Sequence, residues 1–391
     1  MRLTHLSLTN FRAFSRLDVD FPSGIVLLHG SNAQGKTSLL ESIYYLATFT
    51  SFLTAQDAQT IHFLAREEPI PVGRIVADIE KNERTHQMEI RLILQENQDG
   101  QKRLRKEILI DGVKKSASEA IGLFTSVVFI PQMTRLFENG PEERRRYMNL
   151  AFCQVLPGYA TALTKYNQAL TRRNALLKDL GERGGDEAQL DYWDELLVTH
   201  GKRIMASRQA AVSELNVFTK PIHTRLTGGQ EAFQLMYQSS LPGGDLPADT
   251  VQELENGAAA MFHKRLVATR RHDIQRGVTT SGPHRDDLQF LVNGLNQADY
   301  GSRGQIRTVL QSLKLGEVGW MNEKTQTAPV LLMDETLAEL DENRRRDLLD
   351  ALGTVDQAVL TTTDEELFVP EFLQSITRWE IEAGRIIGSV S

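Results

Sequence analysis

Gly30-Ser31-Asn32-Ala33-Gln34-Gly35-Lys36-Thr37 is the stretch that decides how this 391-residue chain is read. Its two glycines, lysine and threonine stand at the fixed positions of a P-loop. Ahead of it runs Ile25-Val26-Leu27-Leu28, a short apolar strand; behind it, a helical pattern extends from Thr37 through Leu46. Strand, glycine-rich loop and helix form the context this motif requires. Glycines let the backbone curl so that its N–H groups face phosphate oxygens, and the helix N-terminus adds positive partial charge. Gly30 to Thr37, with Ser38 next, are therefore candidate nucleotide contacts. Lys36 would reach the β- and γ-phosphates of ATP, and the Thr37 hydroxyl would coordinate Mg²⁺. A glycine turn without a ligand is the plain alternative, which the flanking strand and helix weigh against.

Moving outward, Val330-Leu331-Leu332-Met333 is an apolar strand that ends in Asp334-Glu335. That is the form of a Walker B strand: Asp334 for the metal shell, Glu335 as general base toward the attacking water. Buried strands often end in acids, so this signal is weak by itself. Glu339-Leu340-Asp341 follows at D-loop spacing, making Asp341 a nucleotide-binding candidate. About thirty residues upstream, Ser302-Arg303-Gly304-Gln305 opens a helix. Ser302, Gly304 and Gln305 fit a signature that meets the γ-phosphate held by another subunit; the alternative is an ordinary N-cap. Gln132, after the strand Val127 to Ile130, stands where a metal-contacting Q-loop would lie, though an ordinary loop glutamine explains it as readily.

The texture of the chain changes twice. Residues 1–140 mix strand and helix signals. From 141 to 275 the apolar residues repeat at helical spacing, as in Met148, Phe152, Val155, Tyr159, Leu163, Tyr166 and Leu170. A second seam runs from Leu190 to Ile222 after a break at Gly181, Gly184 and Gly185, and a third helix covers Val251 to about Arg271. The mixed texture returns over 276–391. The expected fold is α/β: an ABC/SMC-like P-loop ATPase head split in sequence, with an antiparallel helical hairpin arm inserted over 141–275.

Composition excludes several classes. Hydrophobic residues are 41% and charged residues 24%, ordinary for a soluble globular protein. The one cysteine, Cys153, rules out an intramolecular disulfide and a cysteine zinc module. The N-terminus carries no signal-peptide pattern and no stretch has the length of a membrane span, so a cytoplasmic protein without a membrane partner is expected. The net charge of −7 requires any nucleic-acid contact to be a local patch. Basic clusters exist at Lys102 to Lys106, Arg144 to Arg146, Arg172-Arg173 and Arg270 to His272; solvated faces are their plain reading.

Several stretches together resemble the RecF family of bacterial DNA replication and repair proteins, within the ABC/SMC-type ATPases. They are Leu8-Thr-Asn-Phe-Arg12, the P-loop running into Thr37-Ser-Leu-Leu-Glu41, Glu143 to Tyr147, Tyr166 to Asn174, Gly282-Pro-His-Arg285-Asp-Asp-Leu, and Thr336 to Asp341. The Gly282 to Leu288 stretch is the most family-specific. Departures are Ile306, where a second glutamine is usual, Ala338, where a serine is usual, Leu53, where an arginine is common, and Asp334-Glu335 in place of two aspartates. Thr362 or Thr363 takes the place of the ABC switch histidine, as the family also has it.

The resemblance implies an ATP-dependent recombination mediator, nucleoid-associated, with weak DNA-stimulated ATPase activity. It implies a homodimer closed around ATP and Mg²⁺ that clamps double-stranded DNA near single-strand gaps and, with RecO and RecR, promotes RecA loading in replication, repair and the SOS response. It also implies a nucleotide contact from Arg12. Arg144, Arg145, Arg146, Arg172 and Arg173 are the candidate DNA contacts. Competing readings are a nucleotide-binding adaptor with negligible hydrolysis and an ABC-type ATPase subunit of another complex. A longer SMC-type coil is excluded by the short insert.

Overall fold

In the computed structural model the described residues are 1–54, 56–96, 102–242, 250–339, 345, 348–349, 352–353 and 355–390. They fall into two units, Met1–Met133 with Glu317–Ser391, and Thr134–Gly316.

The first unit is built on two sheets. β1 (Arg2–Phe11), β2 (Phe14–Asp20), β4 (Val72–Lys81), β5 (Arg84–Glu96), β6 (Lys102–Ile110) and β7 (Val113–Lys115) pair antiparallel in the order β2-β1-β4-β5-β6-β7. Strand alternation buries Leu6, Leu8, Ile75, Ala77, Ile90 and Leu92 on one face. β3 (Gly24–His29), β8 (Ser126–Phe129), β12 (Val330–Asp334), β13 (Gln357–Thr362), β14 (Thr377–Glu382) and β15 (Arg385–Val390) form the second, in the order β15-β14-β3-β13-β12-β8. Its strands are parallel except β15, which returns antiparallel to β14. β12 is buried at every position, as parallel strands covered on both faces are.

Between the sheets lies α1 (Lys36–Thr48), the helix that follows the glycine-rich loop. Leu39, Leu40 and Ile43 share one core with Leu6, Ile75 and Ile90 of the antiparallel sheet and Val330, Leu332 and Val359 of the parallel one. A helix buried all round needs no polar face. Each of those side chains contributes about 1.5–3 kcal/mol by leaving water. The core thereby fixes the orientation of the loop at the start of α1. A short helix, α2 (Ala117–Ala120), begins with a Ser116–Glu119 capping box.

The second unit contains α3 (Arg135–Glu138), α4 (Pro141–Val155), α5 (Tyr159–Arg183), α6 (Gln189–Leu226), α7 (Val251–Arg276) and α8 (Gln297–Tyr300). It also holds a three-stranded sheet of β9 (Phe233–Gln238), β10 (Asp287–Val292) and β11 (Leu295–Asn296). The start of α9 (Arg303–Thr325) belongs to it as well. α5 and α6 pack as the expected hairpin, joined by residues 184–188, and α7 packs on both. The apolar seam from Met148 to Leu170 is two helices rather than one. Pro157 and Gly158 interrupt it, with Gly158 at φ 77°. Gly181 is no break: it lies inside α5, where a Cβ would meet the Ile274 carbonyl oxygen at 2.7 Å.

The expected boundaries at 140/141 and 275/276 are corrected. Residues 276–316 belong with the helices because β10 pairs with β9 along its whole length, from Asp287↔Gln238 to Val292↔Phe233. Among the described residues no helix is long and apolar enough to cross a membrane.

Candidate nucleotide-binding site

The C-terminal ends of parallel strands carry the functional groups, as is general for open α/β sheets. β3 delivers Gly30, β12 delivers Asp334 and Glu335, and β13 lies between them in the sheet. Gly30 has φ 140° and its Cβ position lies 2.5 Å from the Ile381 carbonyl oxygen, so only glycine fits. Gly35 adopts φ 115° at the N-cap of α1. The loop is fastened to the β14–β15 turn: Ala383 N donates to Gln34 Oε1 at 2.7 Å and Gly384 N to the Gln34 carbonyl at 2.9 Å. Ser31, Asn32 and Ala33 remain exposed at the rim. Ser38 is half-buried on the first turn of α1.

The Lys36 ammonium donates to the carbonyls of Gly30 at 2.8 Å and Ser31 at 3.0 Å, and lies 3.4 Å from Glu335 Oε1. Asp334 Oδ1 accepts from the Thr37 hydroxyl at 2.8 Å, which joins the P-loop to the Walker B strand across 297 residues. The same oxygen accepts from Thr361 Oγ1 at 2.8 Å, and Thr361 Oγ1 also accepts from Glu335 N at 3.0 Å. Burial pushes the Asp334 carboxyl up; the two threonine hydrogen bonds oppose this, the neighbouring Glu335 adds to it and Lys36 works against it. Glu335 itself has φ 49°, an uncommon conformation for a non-glycine residue. Thr361 was not among the sequence candidates. The hydroxyl of the neighbouring Thr362, one of the two threonines read at the switch position, bonds the Asp364 backbone.

Arg12 is gripped by α1. Its guanidinium makes a bidentate pair with the fully buried Glu41, at 2.7 Å for both Nε and Nη2, while Nη1 donates to the Gln59 carbonyl at 3.1 Å. Ser51 donates to the same carboxylate and accepts from the Leu53 and Thr54 N–H groups at 2.9 Å.

The donor set fits a divalent cation beside a triphosphate. Thr37 Oγ1 and the Asp334 carboxylate are adjacent, and Asp334 Oδ2 takes no hydrogen bond from a described residue. Gln132, in the turn just beyond β8, the strand next to β12, has a buried Oε1 with no partner among the described residues. A buried acceptor left unpaired suits a ligand position.

A family model described as the RecF/RecN/SMC N terminal domain matches residues 2–376. The chain is 36% identical over 395 residues to the DNA replication and repair protein RecF of Chloroflexus aurantiacus, covering 99% of each chain. It is 37% identical over 396 residues to the RecF of Chloroflexus aggregans, again over 99% of each. The chain belongs to the RecF family. It also superimposes with a TM-score of 0.86, at 28% identity, on a structure described as the recombination mediator protein RecF with ATP in the RecFOR pathway, over 100% of this chain and 97% of that one.

Three of the RecF-family stretches, Glu143 to Tyr147, Tyr166 to Asn174 and Gly282 to Leu288, lie in the second unit, as does the proposed signature. Ser302 caps α9: its Oγ accepts from Gln305 N at 3.2 Å, while Gln305 Oε1 accepts from Ser302 N at 3.1 Å. Ser302, Arg303 and Gly304 are exposed. The N-cap reading is thus realised, and an exposed helix start remains open to a second molecule. Asp341 lies outside the described residues.

Two of the candidate DNA contacts are corrected. Arg173 is fully buried; it pairs with Asp194 at 2.6 Å and Asp273 at 2.9 Å and donates to Thr279 at 2.8 Å. Arg144 is nearly buried in a bidentate pair with Asp287 at 2.7 and 2.9 Å. Neither can leave its partners for a phosphate without stranding a carboxylate. Arg172 is exposed, and Arg145 and Arg146 are half-buried.

Proposed function

We propose that this RecF-family chain is an ATP-dependent DNA-binding recombination mediator. The observation that carries the proposal is the Thr37–Asp334 hydrogen bond, which unites P-loop and Walker B strand beside Lys36 and Glu335. Gly30 to Thr37, with Ser38, bind the triphosphate; Lys36 leaves its own loop carbonyls for the β- and γ-phosphate oxygens. Thr37, Asp334 and Gln132 would hold Mg²⁺, which when bound supplies positive charge to those oxygens. Glu335 orients the attacking water and takes its proton. Arg12, pinned by Glu41, aims at the same nucleotide.

Ser302, Gly304, Gln305 and Asp341 complete the site of a second copy, so ATP favours the dimer by differential binding. The dimer clamps double-stranded DNA near single-strand gaps and acts with RecO and RecR in RecA loading. Slow hydrolysis, stimulated by DNA, releases it. Arg145, Arg146 and Arg172 are the remaining candidate DNA contacts. A titration of gapped and continuous duplex with ATP tests the reading: binding should favour the gapped DNA and weaken steeply with salt. No binding at low salt would refute it.

A further inference from the structure

Three stretches that carry the family resemblance, and that the nucleotide chemistry leaves unused, meet at one place. They line an open-mouthed cavity of about 450 Å³ within the second unit. α4 contributes Arg145 and Asn149, α5 contributes Tyr166 and Asn167, and the loop after α7 contributes His284. Leu150, Leu163 and Ile204 form an aliphatic wall. The volume falls in the range of about 300–1,000 Å³ usual for ligand sites.

The polar groups differ in how far they are satisfied. Arg144 has Asp287, and Arg208 has Asp286 at 3.7 Å. Arg145 donates to the Asp286 carbonyl at 2.9 Å, and no described carboxylate lies within ion-pair distance of it. Burial lowers its pKa, the charges of Arg208 and Arg285 push the same way, and Asp287 and Glu142 oppose them. A half-buried guanidinium among other cations has unused capacity for an anion. Asn149 Oδ1 accepts from Tyr159 at 2.8 Å and Arg208 at 3.0 Å, which leaves its NH₂ group without a described partner.

His284 Nε2 lies 3.0 Å from the Thr279 carbonyl, so it carries the hydrogen. Nδ1 then accepts from the Tyr166 hydroxyl at 2.7 Å. The Tyr166 oxygen keeps its acceptor capacity. The cavity thus offers donors for a carboxylate, an acceptor for an N–H and an apolar wall. Glu142 and Glu143 lie on the same lining, so the interior suits a single carboxylate, and a nucleic-acid backbone that used Arg145 would compete for the same guanidinium.

We propose that this cavity is a docking site for a short peptide segment of a partner protein, one that presents a carboxylate to Arg145 and an aliphatic side chain to Leu163 and Ile204. The proposal does not depend on the nucleotide reading. It is tested on the full chain with capped, fluorescein-labelled octapeptides of glycine and serine carrying a central Leu-Asp, Leu-Glu, Leu-Lys or Ser-Asp pair. Anisotropy should show Leu-Asp and Leu-Glu binding about tenfold tighter than the other two, the scale of one charge-assisted contact. Arg145→Glu should turn the preference toward Leu-Lys. Asn167→Trp, at an exposed position, should block every peptide while leaving Arg145 in place. Equal binding of Leu-Asp and Leu-Lys would overturn the proposal. So would parental binding by both variants, or duplex DNA binding that Arg145→Glu abolishes while no peptide binds.

Discussion

Lys36 in the first unit and Arg173 in the second are both withdrawn from water, at 4% and 0% side-chain exposure, yet they are held in opposite ways. Lys36 rests on two carbonyls of its own loop and on one partly exposed carboxylate at 3.4 Å. A phosphate can replace all three partners at little cost. Arg173 is enclosed by two buried aspartates and a threonine on other elements. Withdrawing Arg173 from that set strands Asp273. A buried cation with exchangeable partners is built to bind, whereas one gripped by two buried carboxylates is built to hold helices together.

The comparison breaks most visibly if Arg173 is removed. Arg173→Ala leaves Asp273 with no described counter-charge and Asp194 with Arg270 alone, and should cost about 3–5 kcal/mol. Chemical denaturation should show the loss, confined to the unit that holds α5, α6 and α7. A change within experimental error would mean that the network is not structural.

Lys36→Ala should do the reverse. ATP turnover should fall by about two to three orders of magnitude, the scale of losing one preorganised phosphate or oxyanion donor, while the melting temperature stays near that of the parent. Single-turnover hydrolysis paired with a thermal melt separates the two effects.

These two cations also show what a sequence makes legible. The P-loop is a contiguous pattern with fixed spacing, so its strand, loop and helix could be placed without coordinates. Arg172 and Arg173 look alike in sequence, but neighbours on a helix point about 100° apart. One meets solvent and the other meets aspartates 21 and 100 residues away. Thr361 was missed because its role depends on sheet register, which sets it opposite Asp334. β9 was missed because six residues, Phe233–Gln238, give little pattern until β10 pairs with them. The same pairing moved the boundary that texture had set at 275/276.

His284 offers a smaller test on the structural side. Burial lowers its pKa from 6.5 to about 4, with the neighbouring Arg285 and Arg145 adding to the shift and the Thr279 carbonyl opposing it. The folded state therefore excludes the protonated ring. The stability this provides is present above the unfolded pKa and is lost as pH falls from about 6.5 toward 4. Between pH 7 and pH 5 the parent should lose about 2 kcal/mol from this group, and His284→Gln should flatten that part of the profile. Urea midpoints at the two pH values decide it.

The smallest expected effect concerns the helix start of the proposed signature. Ser302→Ala removes a cap worth about 1 kcal/mol. If Ser302 only caps α9, ATP-dependent self-association should be unchanged. If it also meets a second copy's nucleotide, association should weaken well beyond what the melt accounts for.

Self-association is the point on which the account stands. With Glu335 in its proposed role, Glu335→Gln should slow hydrolysis without removing a proposed phosphate or metal ligand, so a bound state should persist. Sedimentation equilibrium of that variant with saturating ATP and Mg²⁺ should give a dimer that reverts to monomer without nucleotide. A monomer at saturating ATP would contradict the claim that each chain carries half of the site.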